Sequence, residues 1–89
     1  MSDIVIAAAK RTPIGAFLGQ FTGFATPRLG AAAIRAALQQ SGIAPGDVNE
    51  VLMGCVLPAN LGQAPARQAA LAADLPPSAG CTTLNKVCG

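Results

Sequence analysis

Cys81-Thr82-Thr83-Leu84-Asn85-Lys86-Val87-Cys88-Gly89 ends the chain, and its reading decides the fold. The run from Cys81 to Val87 carries the apolar and β-branched residues of a strand. A thiol follows at once, and then a glycine. Open α/β sheets present reactive groups where strands give way to loops at their carboxyl ends. Cysteine is one of the few side chains able to hold an acyl group covalently. An arbitrary cysteine in such a chain is a small, inert, buried hydrophobe. Cys88 stands apart because a strand precedes it and Gly89 allows a tight backbone turn, as in a strand-to-helix elbow. A helix opening after Gly89 would offer N–H donors to the oxyanion of a thioester intermediate. Cys88 is therefore the candidate catalytic residue.

Upstream, Ile4-Val5-Ile6-Ala7-Ala8-Ala9 is a continuous apolar run, the pattern of a strand covered on both faces. Lys10 to Gly23 breaks that pattern and reads as a long loop, with a turn at Thr12-Pro13-Ile14-Gly15. Thr26 is a suitable N-cap and Pro27 a suitable first helical residue. From Arg28 to Ser41, Gly30, Ala33, Ile34, Ala37, Leu38 and Ser41 fall on one helical stripe, with Leu29 beside it. Arg28, Arg35 and Gln39 point the other way. Gly42 ends that helix, and Pro45-Gly46-Asp47 makes a turn. Val51 to Leu57 is a second doubly covered strand, closed by Pro58. Pro65 to Asp74 is a second helix, ended by Leu75-Pro76-Pro77.

The predicted order is β-α-β-α-β. Helical crossovers between apolar strands imply a parallel sheet in an α/β fold. Two helices are too few to cover both faces of three strands, so the sequence predicts a layered sheet-helix sandwich left incomplete in 89 residues.

Half of the residues, 52%, are apolar, with Ala the commonest among them; Gly is frequent besides, and there is no Trp or Tyr. Small side chains bury little area each, which leaves a lone fold of this size weakly stabilised. The net charge of +2 comes from basic residues scattered singly, with no aromatic stacking platform expected among them, which argues against a nucleic-acid partner. The apolar runs are far shorter than the ~18 residues of a membrane span, and no secretory or organelle signal opens the chain. No membrane partner and a cytoplasmic location are expected. Cys55, Cys81 and Cys88 are odd in number, there is no histidine, and no tight ligand spacing occurs. Neither a disulfide framework nor a metal site is expected. The GxGxxG spacing of a dinucleotide site is absent.

Read together, these segments resemble the thiolase family, and within it the short-chain acetyl-CoA acetyltransferases. The resemblance runs through Ile4–Ala9, Arg11-Thr12-Pro13-Ile14-Gly15, Phe17 and Gly19. It continues through Asp47-Val48-Asn49-Glu50-Val51 and Met53-Gly54-Cys55-Val56-Leu57-Pro58-Ala59. Gly62-Gln63-Ala64-Pro65-Ala66-Arg67-Gln68-Ala69-Ala70 and Asn85-Lys86-Val87-Cys88-Gly89 complete it. Each segment is weak alone; their order and spacing make the signal strong.

The resemblance implies that Cys88 is the nucleophile of an acyl-CoA C-acyltransferase. It would take an acyl group from one acyl-CoA and pass it to a second, deprotonated acetyl-CoA, giving a 3-oxoacyl-CoA such as acetoacetyl-CoA. Thiolysis is the reverse. It implies coenzyme A thioesters as substrates, no further cofactor, and a dimer or tetramer or a complementary chain as partner. Residues 1–89 would form the N-terminal part of the first thiolase-like domain. The family's histidine, second cysteine and Asn-held water map to no residue here. Cys55 and Cys81 fall in strands and read as packing residues. Arg67 and Gln68 read as support rather than as phosphate ligands. Lys86 shares a face with Cys88 only if the strand runs through both. The alternative is a truncated or split, non-catalytic thiolase-like subunit that acts as an assembly module.

Overall fold

The structure, a computed structural model, describes residues 3–88. Four main elements follow one another: α1 (Thr26–Ser41), β1 (Glu50–Gly54), α2 (Pro65–Ala72) and β2 (Gly80–Leu84), with a single 3-10 turn at Pro45–Asp47 before β1. β1 and β2 pair in parallel, from Glu50 opposite Gly80 to Gly54 opposite Leu84. The β1–α2–β2 unit is the crossover that the apolar runs predict.

α1 forms where its stripe predicts. Ala25 rather than Thr26 takes the cap position, in extended backbone and without a side-chain hydrogen bond; Thr26 is the first helical residue. Pro27 behind it is buried. Beside the cap, the Arg28 guanidinium lies 4.9 Å from the centre of the Phe24 ring, and Phe24 meets Phe21 edge-on. This cation–aromatic stack braces the start of the helix. At the far end Gly42 adopts φ 74° and donates its N–H to the Leu38 carbonyl. That is the left-handed stop for which glycine carries no Cβ penalty.

α2 is shorter than the predicted span to Asp74. It closes with a Schellman motif: the Leu75 N–H reaches the Ala70 carbonyl and the Asp74 N–H reaches Leu71, both at 3.0 Å. Asp74 takes the left-handed position with φ 63°. The motif turns Leu75, only 4% exposed, back into the core. There it joins Ala31, Val51, Ala70 and Ala73, with Ile34, Leu38, Val48, Met53 and Cys81 packed around them. Small side chains let the helices approach closely, which is the use of the Ala-rich composition.

In the parallel register Val51 and Cys81 are neighbours, as are Met53 and Thr83, and these four are at least half-buried beneath the helices. Leu52 and Leu84 alternate to the opposite face, where they are 61% and 44% exposed. One sheet face is thus covered and the other bare among the described residues.

The three strand predictions also need correction. Ile4–Ala9 is not a strand: it has no ladder partner among the described residues, and Ile4, Val5 and Ile6 are 75% exposed or more. Its apolar pattern is that of a strand, but a ladder needs a second chain alongside. What holds the segment is the Ala9 N–H donating to Gln40 Oε1 at 3.2 Å, with Ala7 and Ala8 sharing a groove with Val51 and Met53. The predicted strand Val51–Leu57 ends at Gly54, where the chain bends before Pro58. The predicted strand Cys81–Val87 ends at Leu84, since a strand lasts only as long as its partner.

Candidate nucleophile site

Cys88 lies four residues beyond β2 and is exposed and unbridged. Its backbone is left-handed, with φ 48°. That conformation costs an L-residue about 1–2 kcal/mol and clusters at functional sites. The turn predicted at Gly89 lies outside the described residues.

Two fastenings sit just upstream of Cys88. The Leu84 carbonyl accepts the Cys55 N–H at 2.8 Å, one step past the paired strands. The Thr83 hydroxyl accepts the Ala66 N–H at 3.0 Å and so caps α2 from another element. The cap is needed because the Ala64 cap residue has no side-chain oxygen and Pro65 has no N–H.

The loop before α2 is folded on itself. Asn60, Gly62 and Ala64 all have positive φ. The Gln68 amide donates to the Leu61 and Gln63 carbonyls, each at 2.7 Å, and holds this left-handed run in place. Gln68 therefore clamps the loop ahead of its own helix. Arg67 reaches toward the Pro77 carbonyl at 3.4 Å, again a structural partner. Arg35 of α1 donates to the Ala72 carbonyl and lies 3.8 Å from the Asp74 carboxylate, tying α1 to the end of α2.

The other two thiols sit as packing residues. Cys55 is buried, and Cys81 is half-buried beside the Ala79 carbonyl. Lys86 and Cys88 are both exposed, but the strand that would put them on one face stops before either. A cavity of about 290 Å³ opens between Lys10–Thr12, the start of α1, Cys55, α2 and Thr83, and Cys88 lies outside it. The Thr83 cap and the Gln68 clamp were missed by sequence reasoning. Only an unsatisfied helix start, Ala-Pro-Ala at 64–66, hinted at the first.

The family described as thiolase, N-terminal domain, matches residues 4–89. The chain belongs to the thiolase family. Among curated thiolase relatives, an acetyl-CoA acetyltransferase of Pseudomonas aeruginosa is 54% identical over all 89 residues, which span 23% of that relative. Acetyl-CoA acetyltransferase 1 of Arabidopsis thaliana is 55% identical over 86 residues, 97% of this chain and 21% of the relative. Among solved structures, the Acat5 thiolase of Ascaris suum in complex with coenzyme A superposes with a TM-score of 0.90 at 38% identity. It covers 92% of this chain, which in turn covers 22% of it. This thiolase chain therefore spans less than a quarter of the length of these relatives. Its α/β architecture is that of the corresponding part of the thiolase fold. No helix among the described residues is long and apolar enough to cross a membrane.

Proposed function

We propose that residues 1–89 are the N-terminal part of the first thiolase-like domain of an acyl-CoA C-acyltransferase, and that Cys88 is its nucleophile. The observation that carries this reading is the position of Cys88: exposed, left-handed and four residues past the carboxyl end of a strand of a parallel sheet. The similarity to proteins named acetyl-CoA acetyltransferase supports acetyl-CoA as substrate.

In this reading the Cys88 sulfur attacks the thioester carbonyl of acetyl-CoA. The tetrahedral adduct collapses, the carbonyl–sulfur bond to coenzyme A breaks, and coenzyme A leaves as its thiol with the proton that Cys88 gave up. A second acetyl-CoA, deprotonated at its α-carbon, then attacks the Cys88 thioester. Acetoacetyl-CoA forms as the carbonyl–sulfur bond to Cys88 breaks, and the proton taken from the α-carbon returns the released cysteine to its thiol. Sulfur suits this exchange because one thioester replaces another at nearly equal energy and the carbonyl stays electrophilic. The reading includes no cofactor beyond the coenzyme A thioesters, a cytoplasmic location, a role in fatty acid metabolism, and a homotetramer or other oligomer that covers the bare sheet face.

The test is acyl-enzyme formation from radiolabelled acetyl-CoA in the natural protein. Cys88→Ser abolishes labelling with the fold intact; undiminished labelling moves the nucleophile elsewhere. The exposed Ile4, Val5, Ile6 and Leu52 favour a second reading, a non-catalytic subunit that docks on a complementary chain. A native mass showing such a partner, with no labelling of Cys88, selects it.

A further inference from the structure

Among the described residues, the last hydrogen bonds before Cys88 are those of Thr83 and Leu84. Asn85, Lys86, Val87 and Cys88 are all exposed and lie outside β2. The direction in which the thiol-bearing turn leaves the sheet is therefore set where β2 is last held. The Leu84 carbonyl holds it to Cys55 by backbone alone, which any residue could do. The Thr83 hydroxyl holds it to the start of α2, which only a few side chains could do.

We propose that Thr83 is a positioning residue for the Cys88 nucleophile, docking the carboxyl end of β2 on α2 through the Ala66 N–H. The proposal rests on the reading of Cys88 as the acyl carrier. Ala66 is 2% exposed, so its N–H is shielded from water and needs a partner within the protein. Neither Ala64 nor Pro65 supplies one. Thr83 is half-buried and stands next to Met53 in the sheet register, with its hydroxyl 3.0 Å from that N–H. Its branched Cβ restricts χ1, so the hydroxyl direction and the strand position are locked together. The bond joins one residue of the strand to the rigid end of a helix, five positions before the thiol. Misplacing a reacting group by about 1 Å slows a reaction by up to about 100-fold.

The experiment compares Thr83→Val, Thr83→Ser and Arg35→Met in the natural protein. Single-turnover acylation by acetyl-CoA, KM and melting temperature are measured. Thr83→Val keeps the shape and removes the acceptor; it lowers the acylation rate at least about tenfold with KM changed less than about twofold. Thr83→Ser keeps the acceptor and restores most of the rate. Arg35→Met loosens the opposite end of α2, lowers the melting temperature, and leaves the acylation rate near that of the parent. Parent-like acylation by Thr83→Val, or an equal loss in Arg35→Met, overturns the proposal. Should Thr83→Val not fold, Thr83→Ala, which leaves room for a capping water, shows the same rate loss; parent-like acylation by that variant overturns it. Labelling that survives Cys88→Ser overturns the nucleophile reading itself. Loss of labelling in Cys88→Ser with parent-like Thr83→Val overturns only the role of Thr83.

Discussion

Gly30 of α1 faces Ala69 of α2 so closely that a β-carbon at position 30 would lie 3.3 Å from the Ala69 Cβ. The same atom would lie 3.1 Å from the Met53 Cε. The helices meet at a seam with room for at most one methyl group. Met53 can yield because its side chain is flexible, whereas the Ala69 Cβ is fixed to the helix. Gly30→Ala gains about 1 kcal/mol of helix propensity and sets it against this contact, so its stability stays close to that of the parent. Gly30→Leu overpacks the seam and costs about 1–3 kcal/mol. Urea denaturation midpoints of the natural protein check both.

Asp74 carries a left-handed backbone as the C′ residue of α2, with φ 63°. Its ion pair with Arg35 is solvent-exposed and contributes little. Backbone conformation, rather than charge, decides substitutions here. Asp74→Gly removes the Cβ penalty and leaves stability equal or higher, while Asp74→Val, β-branched, costs about 1–2 kcal/mol. Thermal melts that rank Val above Gly would contradict this account.

Gln68 donates twice to the loop ahead of its own helix, to the carbonyls of Leu61 and Gln63. Gln68→Leu removes both donors at similar size. The loss is about 1–3 kcal/mol, concentrated in the strained loop of residues 60–64. Hydrogen exchange rises in that loop first, and limited proteolysis cuts there before it cuts α1.

The three thiols differ in access: Cys88 is exposed, Cys81 half-buried and Cys55 buried. Brief treatment with iodoacetamide followed by peptide mapping labels Cys88 first, Cys81 more slowly, and Cys55 only under unfolding conditions. Preincubation with acetyl-CoA protects Cys88 alone if it carries the acyl group.

Much of this fold was legible in the sequence. The stripe from Gly30 to Ser41 and the stop at Gly42 gave α1 to within a residue or two, because periodicity and a glycine cap are local properties. The parallel pair around Val51 and Cys81 followed from apolar runs joined by a helix. Cys88 stood out for the same kind of reason, a thiol just past a strand with glycine behind it. What the sequence misjudged were ends and partners. Ile4–Ala9 has the residues of a strand, and β2 was expected to run to Val87. Yet pairing depends on a neighbouring backbone that no local pattern reports.

By itself the sequence determined the family, the succession of helix, strand, helix and parallel strand after residue 25, and the thiol that follows the last strand. Those features rest on side-chain periodicity, turn chemistry and residue identity, which are written along the chain. Only the tertiary structure decided that Thr83 caps α2, that Gln68 clamps its own loop, and that Asp74 turns left-handed to bring Leu75 into the core. Each of these answers a backbone group left without a partner at an element's end. Which group is left over, and which side chain lies within reach of it, exists only once the elements have packed.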